Sequence, residues 1–215
     1  MSARSRGPLR VRCLGRVPYR EALALQHALF RRSREDYLLF VEHPHVYTLG
    51  VRARPAHVLV DPESVGAELV KADRGGDVTY HGPGQVVGYL VISVDLGPGA
   101  IPAYVHGIED LVIGALGDLG LPAVGRLAGY PGVWVEPDGE VPRKICAVGV
   151  RVSRGRTMHG FALNVDADLA MFSHIVPCGI PDRPVTSLRA EGLAATQQDV
   201  IDAIVTRART SPVFG

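Results

Sequence analysis

The sequence predicts an α+β fold, a mixed and mostly antiparallel sheet flanked by helices, and three observations carry that prediction. Short apolar runs bounded by turn residues recur along the 215 residues. A strand, turn, strand, turn, strand pattern fills the region after residue 130, and apolar positions at helical spacing stand near both ends and once between them. With 47% hydrophobic residues the chain can bury a sizeable core, and without repeats or Pro/Ser-rich linkers it reads as a single domain spanning 1–215.

The elements follow in order. Leu9 to Leu14 alternates apolar and basic residues like a short strand, and Pro18 opens a helix with Leu23, Leu25, Leu29 and Phe30 at mostly helical spacing. Tyr37 to Val41 is a continuous apolar run, a buried strand that stops at Glu42-His43-Pro44 because proline has no N–H for a ladder. Val46 to Leu49 continues it after a break. Glu68 to Ala72 is a further strand, and Asp73 to Gln85, with four of the 25 glycines, reads as a loop at one edge of a sheet before the strand Gln85 to Val94. Ala103 to Leu119 has helical apolar spacing, although Gly107, Gly114 and Gly117 each cost up to ~1 kcal/mol relative to alanine.

Gly132 to Glu136, the turn Pro137-Asp138-Gly139, Lys144 to Ser153, the turn Arg154-Gly155 and Thr157 to Val165 predict an antiparallel meander. Asp168 to Ile175 is a short helix ended by Pro177. Thr196 opens the last helix: Asp199 three residues on approximates a capping box, and Val200, Ile201, Ile204 and Val205 make one apolar face.

Charge narrows the function. Lys plus Arg (23) nearly balance Asp plus Glu (22), so the chain lacks the basic field that binding to nucleic acid or an anionic membrane needs. Cys13, Cys146 and Cys178 are odd in number and irregular in spacing, which suits a reducing compartment. The basic N-terminus lacks an apolar core, and no segment approaches the ~20 apolar residues that span a bilayer, so a cytoplasmic location is expected.

The densest chemical signal is Arg74 to Gln85, where small residues would let a substrate approach backbone N–H donors, or would merely turn a hairpin. It lacks the lysine and Ser/Thr of a Walker loop and the helix that follows a dinucleotide fingerprint, so no nucleotide cofactor is expected. Cys178, between Pro177 and Gly179, reads either as an approachable thiol or as a small buried hydrophobe. Lys144 heads the apolar strand Ile145 to Val150, where its charge needs solvent or a counter-group. Cys146 stands two residues on, on the same strand face by period two, and is a rival thiol. His43 and His45 make a weak metal pair without a third ligand, and no metal is expected. His81 and His159 each adjoin a glycine and could line a site, whereas His106 and His174 fall on helices.

Five blocks in one order resemble the lipoyl(octanoyl) transferases: Arg74-Gly75-Gly76 with Thr79-Tyr80-His81-Gly82-Pro83-Gly84-Gln85; Gly132-Val133-Trp134; Lys144-Ile145 with Gly149-Val150; His159 to Asn164; and Pro177-Cys178-Gly179-Ile180. The resemblance runs from about Tyr19 to Leu188 and takes in Glu42-His43-Pro44 and Val46 to Gly50. It implies the fold of the biotin and lipoate protein ligases, with the acyl chain between the Gly-rich loop and neighbouring strands. It also implies transfer of an octanoyl or lipoyl group from acyl carrier protein to a lysine ε-amine. The acceptors it implies are lipoyl domains of 2-oxoacid dehydrogenase complexes and the glycine cleavage H protein.

In that family the cysteine carries the acyl group and the lysine moves protons, roles that fall on Cys178 and Lys144. Acyl-binding positions fall on Arg74, Gly75, Gly76, Asp77, Val78, Thr79, Tyr80 and His81, on Ala147, Val148 and Gly149, and on Gly160, Phe161 and Ala162. Cys146, where alanine is usual, and His45, where proline or alanine is common, depart from the pattern. Three rivals remain: an ATP-dependent lipoate or biotin ligase, a thiol hydrolase, and a non-catalytic binder of acylated carrier proteins.

Overall fold

The computed structural model describes residues 8–94, 97–177, 183–211 and 213–214. Among them run β1 (Arg10–Arg16), α1 (Tyr19–Arg32), β2 (Tyr37–Glu42), β3 (Val46–Leu49), β4 (Glu68–Lys71), β5 (Val78–His81), β6 (Gln85–Val91), α2 (Ala100–Asp118), β7 (Val124–Leu127), β8 (Tyr130–Val135), β9 (Arg143–Ser153), β10 (Arg156–Asn164) and α3 (Gln197–Thr210). A seven-stranded sheet has the order β1-β2-β6-β10-β9-β8-β7, and a three-stranded sheet the order β4-β3-β5. β1 and β2 pair parallel, as do β3 and β4, and the other pairings are antiparallel.

Three layers result. One face of the large sheet packs on α2 and α3, where Leu38, Leu90, Val133, Ile145 and Leu163 meet Ile108, Val112, Val200 and Ile204. The opposite face carries Leu39, Val41, Val87, Tyr89 and Ala162 against Ala22 of α1. Tyr19 of α1 packs with Val46 and Val70, so helix and small sheet cover this second face together. α3 begins with the predicted capping box: the Thr196 hydroxyl accepts the Asp199 N–H at 3.1 Å while Asp199 accepts the Thr196 N–H at 2.9 Å. No helix of the described residues is long and apolar enough to cross a membrane.

The α+β class and the β8-β9-β10 meander are as the sequence predicts, and three local expectations are corrected. Asp73 to Gln85 is not loop throughout, because Val78–His81 forms β5, paired antiparallel with β3. The β-branched and aromatic residues inside the glycine cluster favour a strand there. β3 does not extend β2, since the chain changes sheets across Glu42-His43-Pro44. β4 and β6 accordingly belong to different sheets, and the glycines between them lie between the two sheets rather than at an edge of one. The 168–175 segment is a 3-10 helix, Leu169–His174, whose first turn Asp168 caps by accepting the Ala170 N–H at 3.0 Å.

Candidate active site

A cleft opens between the two sheets. Its small-sheet wall is Thr79 and His81 of β5 beside Arg74, its floor Ala147, Gly149, Gly160, Phe161 and Ala162, and its far wall Tyr19, Tyr89 and His159. A second hollow shares Thr79, Ala147 and Ala162 with the first and reaches Lys144, Asn164, Pro177 and Val185. The two adjoin at those three residues, one on the Lys144 side and the other on the Tyr19 side.

Eight of the predicted substrate positions therefore line the cleft: Arg74, Thr79, His81, Ala147, Gly149, Gly160, Phe161 and Ala162. The other six do not. Val78 and Tyr80 face the opposite side of β5 and pack with Tyr47, Met171 and Phe172, and Val148 likewise turns to the α2/α3 core. Gly75 donates its N–H to Val150 O at 2.8 Å, and Gly76 O accepts from Arg52 N at 3.1 Å. Asp77 accepts from His57 Nδ1 at 2.6 Å. Tyr19 and Tyr89 line the cleft without any motif having marked them; Tyr89 was legible only by period two from Val87 along β6.

Lys144 is only 6% exposed. Its register partner on β8 is Trp134, and its Nζ lies 4.7 Å from the centroid of that indole. Among the described residues no carboxylate pairs with it. Its backbone is clamped by the segment beyond Cys178, donating to Pro184 O at 2.9 Å and accepting from Thr186 N at 2.8 Å. Cys178 lies outside the described residues, while Pro177 and Val185 on either side of it in sequence both line the hollow that holds Lys144.

Cys146 corrects an expectation. Between Val133↔Cys146 and Trp134↔Lys144 the register slips by one residue, a bulge that breaks period two. Lys144 thus faces the cleft beside Trp134, whereas Cys146 faces the α2/α3 core beside Val133. It is fully buried, and burial pushes its thiol far above the ordinary range.

A hydrogen-bonded chain fixes the floor. His81 Nδ1 lies 2.8 Å from Gln85 Oε1, Gln85 Nε2 donates to Asn164 Oδ1 at 2.8 Å, and Asn164 Nδ2 donates to Thr186 O at 2.9 Å. Burial, with His43 and Arg74 nearby, holds His81 neutral. His43 bridges Val17 O and Tyr89 Oη, each at 2.7 Å, and His45 bonds Tyr80 Oη at 2.8 Å. Both histidines thus have protein partners, and among the described residues no group of three or more His, Cys, Asp or Glu side chains is gathered to hold a metal ion. Asp73 accepts from His159 Nε2 at 2.7 Å and pairs with Arg151, which together hold its carboxyl well below the usual range. Burial keeps the His159 ring neutral.

A family profile described as the lipoyl protein ligase A/B catalytic domain matches residues 18–209. The chain belongs to that family. Octanoyltransferase of Mycobacterium sp. (strain KMS) is 47% identical over 205 residues, covering 93% of this chain and 84% of the relative. Octanoyltransferase of Cytophaga hutchinsonii is 43% identical over 199 residues, covering 83% and 81%. This lipoyl protein ligase A/B catalytic domain is accordingly a transferase. Its fold is that of a bipartite lipoate protein ligase from Thermoplasma acidophilum (TM-score 0.79, 22% identity, 95% of this chain and 83% of that one). It is also that of a lipoate-protein ligase A solved with ATP (TM-score 0.79, 20% identity, 95% and 85%). Biotin protein ligase from Aquifex aeolicus shares it more distantly (TM-score 0.53, 12% identity, 96% and 69%).

Proposed function

We propose that this enzyme moves an octanoyl or lipoyl group from acyl carrier protein to the ε-amine of a lysine on lipoyl domains, with residues 1–215 acting as one catalytic unit. Cys178 carries the acyl group and Lys144 moves the protons. The acceptors are lipoyl domains of 2-oxoacid dehydrogenase complexes and the glycine cleavage H protein, met in the cytoplasm. The observation that carries this reading is the buried Lys144 ammonium in the hollow that Pro177 also lines, beside the cleft between the two sheets.

An ordinary thiol, with pKa near ~8.5, is mostly protonated at neutral pH. An ammonium at ~4 Å stabilises the thiolate by about 4 kcal/mol at an effective dielectric of ~20, before desolvation opposes it. Trp134 supports the ammonium through its ring face without neutralising it, which leaves the charge for the thiolate.

In the first half-reaction the Cys178 thiolate attacks the donor thioester carbonyl, the new C–S bond forms, and backbone N–H groups stabilise the oxyanion. The old C–S bond then breaks, and the carrier thiol leaves with a proton from Lys144. In the second, the acceptor amine attacks acyl-Cys178 and gives a proton to the neutral Lys144 as the thiolate departs. The ion pair is regenerated and an amide is made from a thioester, which is downhill. The donor arrives activated, so no ATP step enters.

Incubation with octanoyl carrier protein and a lipoyl domain, without ATP, tests the reading. Intact and peptide mass spectrometry should give an octanoyl adduct on Cys178, and then an octanoylated lipoyl domain. An adduct on Cys146 alone, or transfer that strictly requires ATP, would overturn it. Lys144→Ala should cripple both half-reactions while leaving the fold intact, and near-normal turnover would remove its role.

A further inference from the structure

Glu109 is 3% exposed, on a helix whose Ile108, Leu111 and Val112 pack into the α2/α3 core. A carboxylate so placed costs desolvation, which its partners must offset. One partner is an arginine: Arg126 of β7 donates from Nε to Glu109 Oε2 at 2.8 Å and from Nη2 to His106 O at 2.9 Å. The other is a backbone group. Glu109 Oε1 accepts the Gly132 N–H at 2.8 Å, out of solvent, and a hydrogen bond to an ionised acceptor is among the stronger kinds.

Gly132 is where the stem of Lys144 rests. It holds φ 120°, which residues with a side chain rarely adopt, and a Cβ there would lie 3.5 Å from Lys144 Cε and well inside contact distance of Cys146 O. The bare glycine leaves room for the lysine stem, and two residues on Trp134 receives the ammonium on its ring. That indole is tethered separately, donating from Nε1 to Tyr130 O at 3.0 Å and meeting the Tyr130 ring edge-on. The ladder is irregular on both sides of this stretch, between Gly125 and Leu127 of β7 and between Val133 and Trp134 opposite β9. Where pairing is interrupted, neighbouring strands do not by themselves set the direction of the backbone. The carboxylate from α2 supplies the fixed point.

Charge also places Glu109 in the neighbourhood of Lys144: the Cys146 thiol feels both, Lys144 lowering its pKa and Glu109 raising it. An apolar side chain would pack α2 on the sheet at less cost, since a buried ion pair is often no more stabilising than its hydrophobic replacement. What Glu109 holds, rather than stability, accounts for a carboxylate there.

We infer that Glu109 is a positioning residue for Lys144. By gripping the Gly132 N–H from α2 it fixes the surface against which the lysine stem lies, and so the line along which Nζ meets the thiol and the amine that exchange protons with it. The inference rests on the acyl-transfer reading and deepens it, extending the proton-transfer machinery across the sheet to α2.

Trp134 is the one tryptophan of the chain, so intrinsic emission reads the ammonium over its ring without any substrate. Glu109→Met nearly keeps the volume and removes the acceptor. If it does not fold, Glu109→Met combined with Arg126→Met removes both charges, an exchange that buried ion pairs tolerate. With octanoyl carrier protein and a lipoyl domain, kcat should fall about tenfold to a hundredfold while KM for the donor stays within about twofold. Glu109→Gln, whose amide oxygen can still accept the Gly132 N–H, should recover most of the loss. Emission of Glu109→Met should shift toward that of Lys144→Met, and adding Glu109→Met to Lys144→Met should change it no further. Near-normal kcat, a loss confined to KM, no recovery in Glu109→Gln, or an emission shift that persists in the Lys144→Met background would overturn the inference and leave Glu109 a structural residue. Should the wild type fail to transfer octanoyl without ATP, the transfer reading falls, and the emission arms still decide the positioning.

Discussion

His57 Nδ1 and Asp77 Oδ2 lie 2.6 Å apart, and the His57 carbonyl accepts the N–H of Val176 at 2.8 Å. The Gly-rich segment is thereby joined to the strip of chain that leads through Pro177 to Cys178. A bridge between Val58 and Ile175, and a bond from Leu59 N to His174 O at 2.9 Å, extend the same join. Asp77, expected among the acyl-binding positions, bonds His57 and does not line the cleft, a place that suits a positioning residue.

Asp77→Asn should therefore lower kcat about tenfold while leaving KM for the acyl donor nearly unchanged, because the cleft lining is untouched. His57→Gln should act alike, and the double variant should cost no more than either single one. Steady-state kinetics check this; a rise in KM at constant kcat would show that Asp77 binds substrate.

Cys146 and Cys13 should differ in labelling. Native protein treated with iodoacetamide near neutral pH should be alkylated at exposed Cys13 and spared at Cys146, whose thiol is buried and held protonated. Peptide mapping before and after unfolding in urea separates them, and rapid native labelling of Cys146 would contradict its burial.

Gly160→Ala should destabilise the protein by about 1–3 kcal/mol and, by displacing the strand that floors the cleft, weaken donor binding. A Cβ at Gly160 would meet the Gly88 carbonyl oxygen well inside contact distance, and that oxygen belongs to the paired strand's backbone, which cannot move aside. Urea denaturation and donor binding measure the two effects, and an unchanged midpoint would refute the steric argument.

Acid should destabilise the fold in two stages. Burial lowers the folded-state values of His43, His81 and His159 below the ordinary ~6.5. As pH falls through that value the unfolded chain takes up protons that the folded chain refuses, so stability drops. Asp73, held low by His159 and Arg151, contributes stability at neutral pH that is lost as pH falls below ~4 and on through its depressed folded value. Denaturation midpoints from pH 8 to pH 3 test the order, and His81→Gln should flatten the first stage.

The α+β class, the meander and the capping box of the last helix are legible in the sequence alone, because period-two and helical patterns are local and survive without the fold. The motif residues that line the cleft, among them Arg74, Thr79, Ala147 and Gly160, were legible for the same reason: each sits in a contiguous block. Which members of those blocks line the cleft was not legible. Val78 and Tyr80 alternate away from Thr79 and His81 only because β5 is a strand of a second sheet, hidden in sequence by the glycines that flank it. Lys144 and Cys146 should share a face by spacing alone, and one bulge opposite Trp134 sends them to opposite sides of the sheet. Tyr19 and His159 come to one cleft from α1 and β10, 140 residues apart in sequence, through a packing of layers that no local pattern encodes. Side-chain direction across a sheet depends on register and pairing, and those are fixed only when distant segments meet.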